Sequence, residues 1–338
     1  MKVRTDKGVE DYKAVWMEGG AVRMIDQRVL PRDFRIVELR DHREVAESIR
    51  NMTVRGAPSI GAAAAYGIAL AAVRGADLRE AEMAIKCARP TANDLFYAVD
   101  CMLKEIGSGR NAIEAAEEYA DRIVEKCASI GRHGSPLIRS GDAIMTHCNA
   151  GALASVDIGT ALAPIRAASE EGKNIFVYVS ETRPRLQGMK LTAWELRNEG
   201  IQHAIIVDGA SGLFMKKGVD IVIVGADRIA ANGDFANKIG TFEKAVVAKE
   251  LGIPFYAAAP VSTFDFSIPT GMGIPIENRD ESEVTEVDET RIAPVGCEAF
   301  NPAFDVTPAE YVKGFITEIG VLAPDQIHKM RGVVDVGD

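Results

Sequence analysis

Four short apolar runs in this chain end in residues that can do chemistry. The first ends at Thr146-His147-Cys148-Asn149-Ala150-Gly151 and the second at Glu181-Thr182-Arg183-Pro184-Arg185. The third ends at Asp208-Gly209 and the fourth at Gly225-Ala226-Asp227-Arg228. A thiol, carboxylates and guanidinium groups thus follow runs of strand type, each beside Gly or Pro. In an open parallel sheet, ligands bind outside the carboxyl ends of the strands. Cys148 is therefore either a small buried hydrophobe, the usual fate of a free cysteine, or a functional thiol. Asp227 is either the cap of a turn or a buried carboxyl with a raised pKa that acts as an acid near neutrality.

Two further groups carry weaker signals. In Arg55-Gly56-Ala57-Pro58-Ser59-Ile60-Gly61, Pro58 suits the first turn of a helix and Gly56 permits a close backbone approach. An Arg before a helix N-terminus suits an anion; a solvated Arg there is as ordinary. Arg89-Pro90-Thr91 follows another helix and is equally weak alone. The segment Asn232–Thr241 opens the helix after the Asp227 strand. Within it, Asn237-Lys238 could hold a sugar hydroxyl or phosphate, and Lys238 alone would read as a surface amine.

The elements that must position these groups follow from periodicity. Residues 10–40 contain short alternating stretches around Gly19-Gly20, which predict a small β meander. From about residue 43 to 130 apolar positions recur at three and four, as in Leu95, Val99, Met102, Leu103 and Ile106, which predicts helices. Apolar runs at 142–147, 174–180, 203–208, 220–225 and 254–259 then alternate with helical stretches such as 191–198 and 241–251. That order predicts a parallel sheet covered on both faces. The expected organisation is an α/β chain in two domains: a mostly helical N-terminal domain with a β meander over residues 1–136, and a Rossmann-like α/β catalytic domain over 137–338. Residues 280–290 (DESEVTEVDET) are expected to form a solvated acidic loop.

Composition narrows the functional classes. The chain has 338 residues, 47% of them apolar, with 39 Lys plus Arg against 49 Asp plus Glu. The resulting charge of −10 repels a polyphosphate backbone and argues against nucleic acid, but not against a small phosphorylated ligand. The five cysteines, at 87, 101, 127, 148 and 297, form no C-x-x-C pair; such a scattered set suits a reducing cytoplasm. The five histidines do not cluster, so no metal site is expected. The N-terminal MKVRTDKGVEDYK lacks an apolar signal core. The uncharged run Ala57–Val73 is short for a span and rich in Ala and Gly, so it is read as a closely packed soluble helix. No phosphate-cradling G-x-x-x-x-G-K-[ST], strand-linked G-x-G-x-x-G, H-E-x-x-H or G-x-S-x-G occurs, which leaves a dinucleotide dehydrogenase without its fingerprint.

Together, RGAPSIGAAAAYG, RPTAND, THCNAGALA, ETRPRLQGMKLTAWEL, GADRIAANGDFANKIGT and NPAFDVTPAE resemble the methylthioribose-1-phosphate isomerase family of methionine salvage, over about residues 10–320. The wider superfamily holds ribose-1,5-bisphosphate isomerases and regulatory subunits of a translation initiation exchange factor. The resemblance implies an aldose–ketose isomerisation of 5-methylthioribose 1-phosphate without metal or cofactor, in a cytoplasmic homodimer that self-associates through the α/β domain. It places the functional thiol on Cys148 and the acid on Asp227. It places substrate contacts on Arg55, Gly56, Ala57, Arg89, Gln187, Asn237 and Lys238. In RPTAND, Asn93-Asp94 stands where the family more often has a small apolar residue before Asn. The regulatory subunits typically lack the Cys and Asp pair, so its presence points to an enzyme.

Overall fold

The computed structural model of the chain describes residues 1–89, 93–288 and 290–330. Pro90, Thr91 and Ala92 of RPTAND, and Glu289 of the acidic stretch, lie outside the described residues. The chain divides into two compact units. The first comprises Met1–Ala128 and Ala150–Ala163; the second comprises Ser129–Asn149 and the chain from Pro164 onward.

In the first unit, β1 (Lys2–Thr5) and β2 (Gly8–Asp11) pair as a hairpin, and β3 (Val15–Glu18), β4 (Ala21–Ile25) and β5 (Ile36–Leu39) form the meander. Helices α1 (His42–Arg50), α2 (Ala57–Val73), α3 (Leu78–Lys86) and α4 (Asn93–Gly107) follow, and then α5 (Ala112–Gly134), which counts with this unit as far as Ala128. Asp41 and Glu44 close a capping box at the start of α1, which satisfies otherwise orphaned amides. Helix α2 is buried continuously from Ser59 to Ala71. A helix apolar on every face must be surrounded, and α1, α3 and α4 surround it. Its Ala and Gly side chains let Ile49, Ile68, Ile85, Leu95 and Val99 close into one core. Among the described residues no helix is long and apolar enough to cross a membrane.

The second unit carries β6 (Ala143–His147), α6 (Leu162–Glu170) from Pro164 on, β7 (Phe176–Ser180), α7 (Ala193–Glu199), β8 (His203–Ile206), α8 (Ser211–Gly218) and β9 (Ile221–Val224). Then come β10 (Arg228–Ala230), β11 (Phe235–Lys238), α9 (Thr241–Glu250), β12 (Phe255–Ala258), β13 (Phe264–Asp265), α10 (Ser282–Thr285), β14 (Glu286–Val287) and β15 (Thr290–Arg291). Strands β16 (Phe304–Thr307), β17 (Gly314–Thr317) and β18 (Gly320–Leu322) complete it. The main sheet has the order β18-β17-β12-β9-β6-β7-β8, parallel except for the β18 edge. Counting its parallel strands along the chain, the order is 3-2-1-4-5-6, that of a doubly wound dinucleotide-type sheet. The five strands expected from the apolar runs are all present. Strands β17 and β18 extend the sheet beyond them.

Two local readings change. Residues 232–241 do not simply open a helix. They turn between β10 and β11, pair antiparallel, and only then enter α9 at Thr241. The acidic stretch is not a plain solvated loop either, because Glu283 is held by three residues. It accepts hydrogen bonds from Arg279 Nε at 2.9 Å, Arg185 Nη1 at 2.8 Å and Asn301 Nδ2 at 3.1 Å. Burial alone would raise its pKa, but these donors outweigh burial and bring it from 4.5 down to about 2. A depressed carboxylate stabilises the fold above its unfolded pKa, and that contribution fades as pH falls from 4.5 toward about 2. Glu283→Gln is therefore expected to lower the denaturant midpoint at pH 7 and to differ little from the parent near pH 2. Equal midpoints at pH 7 would show that the cluster contributes nothing.

Candidate active site

The sheet order sets where a ligand can sit. The chain leaves β6 to build β7 and β8 on one side and β9, β12 and β17 on the other, so the topological switch lies between β6 and β9. Crevices form at such switch points. Cys148 directly follows β6, and Asp227 lies three residues beyond β9, so the two flank the switch.

Cys148 is half-buried and has φ +62°, in the left-handed region that non-glycine residues seldom occupy. Such strain persists only where its surroundings impose it, and it concentrates at functional sites. Its amide donates to Thr182 Oγ1 at 2.9 Å, and its carbonyl accepts from Thr192 Oγ1 at 2.6 Å. Thr182 is itself at φ +68°. The Asp208 carboxylate, from the end of β8, accepts from the amides of Thr182 at 2.9 Å and Arg183 at 2.7 Å, and from the Ser180 hydroxyl. Burial alone would raise the Asp208 pKa; the Ser180 hydroxyl and these two amides outweigh it and hold it low.

The residue before Cys148 is also constrained. The His147 side chain is 1% exposed, and its Nε2 lies 2.8 Å from the Ile239 carbonyl. The carbonyl can only accept, so the ring carries its proton on Nε2. Burial, reinforced by the nearby Lys244 cation, lowers the imidazole pKa, so the ring is neutral at physiological pH. Its Nδ1 has no hydrogen-bond partner among the described residues and lies 3.9 Å from Asp208 Oδ1.

Gln187 precedes a π-helical turn, Gly188–Thr192, that leads into α7. The glycine in this motif has a steric reason: a Cβ on Gly188 would stand 1.8 Å from the Ser180 carbonyl oxygen. The turn therefore packs against the end of β7, and the Gln187 amide oxygen is buried there without a partner among the described residues. Asn237 and Lys238 lie on β11. Asn237 is buried and donates from Nδ2 to Thr241 Oγ1 at 2.9 Å. Lys238 is half-buried, donates to the Ala303 carbonyl at 2.8 Å and lies 4.5 Å from the centre of the Phe304 ring. Asp305, from the NPAFDVTPAE motif, accepts from the Gly240 and Phe242 amides at the start of α9. Burial raises its pKa to about 6.

Asp227 departs from expectation. Its amide donates to the Ala236 carbonyl at 2.9 Å, but the residue is exposed, not enclosed in an apolar pocket. The strand-end turn carries it past the buried Val224 and Gly225 and out of the sheet's cover, so burial within the chain does not desolvate its carboxyl.

The remaining candidates lie in the first unit. Gly56 is the N-cap of α2 at φ +88°, and Ala57 and Pro58 begin the helix. A Cβ on Gly56 would come within 2.5 Å of Ala154 backbone atoms, which is the close approach foreseen for this glycine. Arg55, just before the cap, is half-buried, as is Arg89, three residues past the end of α3. Among the described residues no group of three or more His, Cys, Asp or Glu is placed to hold a metal ion.

Sequence reasoning missed Thr182, Thr192 and the use of Asp208. Asp208 had been visible as a strand-end carboxylate. The two threonines lay inside ETRPRLQGMKLT with nothing in their type to mark them.

The sequence model of the initiation factor 2 subunit family matches residues 53–324. A methylthioribose-1-phosphate isomerase of Acetivibrio thermocellus is 51% identical over 334 residues, covering 92% of this chain and 98% of the relative. One from Roseiflexus sp. is 49% identical over 335 residues, covering 93% and 95%. The crystal structure of 5-methylthioribose 1-phosphate isomerase from Pyrococcus horikoshii superposes with a TM-score of 0.90 at 40% identity, covering 97% of each chain. That of translation initiation factor eIF-2B, subunit delta, from A. fulgidus superposes with a TM-score of 0.87 at 41% identity, covering 96% of this chain and 100% of the other.

Proposed function

The chain belongs to the initiation factor 2 subunit family, and from that premise we propose that it is a methylthioribose-1-phosphate isomerase of methionine salvage. It converts 5-methylthioribose 1-phosphate to 5-methylthioribulose 1-phosphate. The observation that carries this reading is 51% identity to an isomerase along 92% of the chain. Fold alone would not choose between an enzyme and a translation regulator. The strained Cys148 and the Asp227 carboxyl at the switch point favour the enzyme.

The substrate explains the need for both groups. Its anomeric oxygen carries phosphate, so the ring cannot open through a free hydroxyl. Asp227, as the acid, protonates the ring oxygen while the bond from C1 to that oxygen breaks. A hydrogen then passes from C2 to C1, and the C2 hydroxyl becomes the ketone as its proton passes to the Asp227 carboxylate, which restores the acid. Cys148 either carries the C2 proton as a thiolate or stabilises the charge that develops as hydride moves; both roles need the thiol fixed at the reacting carbons. The exposed Asp227 acquires its proton in the complex, where the phosphate dianion and the displacement of water both raise a carboxyl pKa. Arg55 and Arg89 bind the phosphate, with Gly56 and Ala57 presenting backbone beside it, as at helix N-termini generally. The unpaired Gln187 amide oxygen accepts from a sugar hydroxyl, and Asn237 and Lys238 complete the contacts.

The test is product analysis by NMR with each candidate sugar phosphate. Conversion of 5-methylthioribose 1-phosphate, with ribose 1,5-bisphosphate a poor substrate, is expected. Turnover of the bisphosphate alone would move the chain to the sister isomerases. Binding of an initiation factor without turnover of either would make it a regulator.

The same reading includes a cytoplasmic homodimer. Its support is the edge strand β8, the residue just after it and α8, where Ile205, Val207 and Leu213 are 43%, 60% and 53% exposed respectively. Open apolar strand edges are ordinarily covered. Light scattering should give twice the chain mass, and Ile205→Lys should reduce it to a monomer; a monomeric parent would rule the dimer out.

A further inference from the structure

Both backbone polar groups of Cys148 are engaged by threonine hydroxyls, and this goes beyond what a strand end requires. We propose that Thr182 and Thr192 are positioning residues that clamp Cys148 in its left-handed conformation and so fix the direction of its thiol. The proposal rests on the reading of Cys148 as the functional thiol.

The proton accounting is complete on both sides. Thr182 Oγ1 donates its proton to the Ser180 carbonyl at 2.9 Å, which leaves its lone pairs to accept the Cys148 amide at 2.9 Å. Thr192 Oγ1 donates to the Cys148 carbonyl at 2.6 Å and accepts from Asn149 Nδ2 at 3.1 Å. Both threonines are fully buried, so water does not substitute for either hydroxyl.

Each hydroxyl is anchored in turn. A β-branched residue at positive φ is a rare conformation, and Thr182 is kept there by Asp208, which accepts both its amide and the next one. On the other side, Asn149 Nδ2 also donates to Glu195 Oε1 at 2.8 Å. Glu195 is paired with Arg166 at 2.6 Å, and Arg166 also bonds Glu199 at 2.6 Å. Arg166 and Glu195 are buried. A charged, hydrogen-bonded group buried this deeply moves little, because any displacement leaves a charge unpaired. The clamp therefore transmits the rigidity of α6 and α7 to one residue, Cys148. Without it, Cys148 can relax to an ordinary φ and turn its side chain away.

The experiment compares Thr182→Val and Thr192→Val, which keep the shape and delete the hydroxyl, with Thr182→Ser and Thr192→Ser, which keep it. Two quantities are read: steady-state kinetics, and the pH profile of iodoacetamide alkylation at Cys148 followed by peptide mass analysis. Each Val variant is expected to lose ~100-fold in kcat, the scale of a misplacement of about 1 Å. KM should stay within ~3-fold, since substrate binding is untouched. The alkylation profile should shift, and each Ser variant should restore both readouts. Folded Val variants with parental kcat and a parental alkylation profile overturn the clamp. If Thr182→Val does not fold, Thr192→Val decides on the same terms, since its hydroxyl holds the opposite side of Cys148. The two readings fail separately. An active Cys148→Ala removes the functional thiol itself, whereas an inactive Cys148→Ala beside unaffected Val variants removes only the clamp.

Discussion

Cys148→Ala and Asp227→Asn should each reduce turnover ~100-fold to ~10,000-fold, the usual range for removing a positioned acid or base. Neither should unfold the protein. Asp227 is exposed, so its amide isostere meets no desolvation cost. Replacing Cys148 by Ala removes one half-buried sulfur and leaves the backbone hydrogen bonds to Thr182 and Thr192 intact. Kinetics measured with circular dichroism on the same samples separate lost chemistry from lost structure. The two losses should not add, because both groups serve one reaction and each alone is close to limiting. A double variant no slower than the worse single one is the expected pattern. Near-parental kcat in either single variant would sink that residue's role.

The second large effect is at the phosphate. Arg55→Ala and Arg89→Ala should each lower kcat/KM ~100-fold, about 3 kcal/mol for the loss of two charge-assisted hydrogen bonds. Most of the loss should fall in KM, because the phosphate is bound alike in ground and transition states. Lysine at either position should recover only part of the loss, since an ammonium cannot reproduce the planar two-pronged contact. Preference for the phosphorylated over the free sugar should shrink in parallel. Unchanged KM in both Ala variants would move the phosphate elsewhere. Lys238 would be the first alternative. Arg183 is a poorer one, because its guanidinium already donates to the Pro184 and Val284 carbonyls.

The sequence was most legible where one physical signal dominated. Runs such as IVIV at 221–224 are buried on both faces, and near-continuous apolar strands announce a parallel sheet. The carboxyl-end rule directs attention to Cys148 and Asp227 from the sequence alone. Strands β17 and β18 were less legible. GFIT and GVL each open on glycine and place only two apolar residues in a row, so neither forms an apolar run that stands out from loop. The exposure of Asp227 was illegible for another reason. Four apolar residues before it describe the strand's environment, not that of a side chain three residues past its end. The threonine clamp is a tertiary fact, since Thr182 and Thr192 lie 34 and 44 residues from Cys148, and hydroxyls at such separations leave no local pattern.

The segment Ala150–Ala163 gives the first unit an unusual relation to its own gene. Ser59, in α2, donates to the Leu153 carbonyl at 3.1 Å and accepts the Val156 amide at 2.8 Å. Gln27 donates to the same Leu153 carbonyl at 2.8 Å. These partners are encoded downstream of Ser129–Asn149, which belong to the other unit. A nascent chain that has emerged only to Ala128 therefore holds buried polar groups with no native partner, each worth about 1–3 kcal/mol of penalty. The first unit can reach its native hydrogen bonding only after β6 has been synthesised, so the order of folding is not the order of translation. Nor can the unit be inherited as a cassette: a recombination break at Ala128 would transfer α2 without the strand of chain that satisfies it.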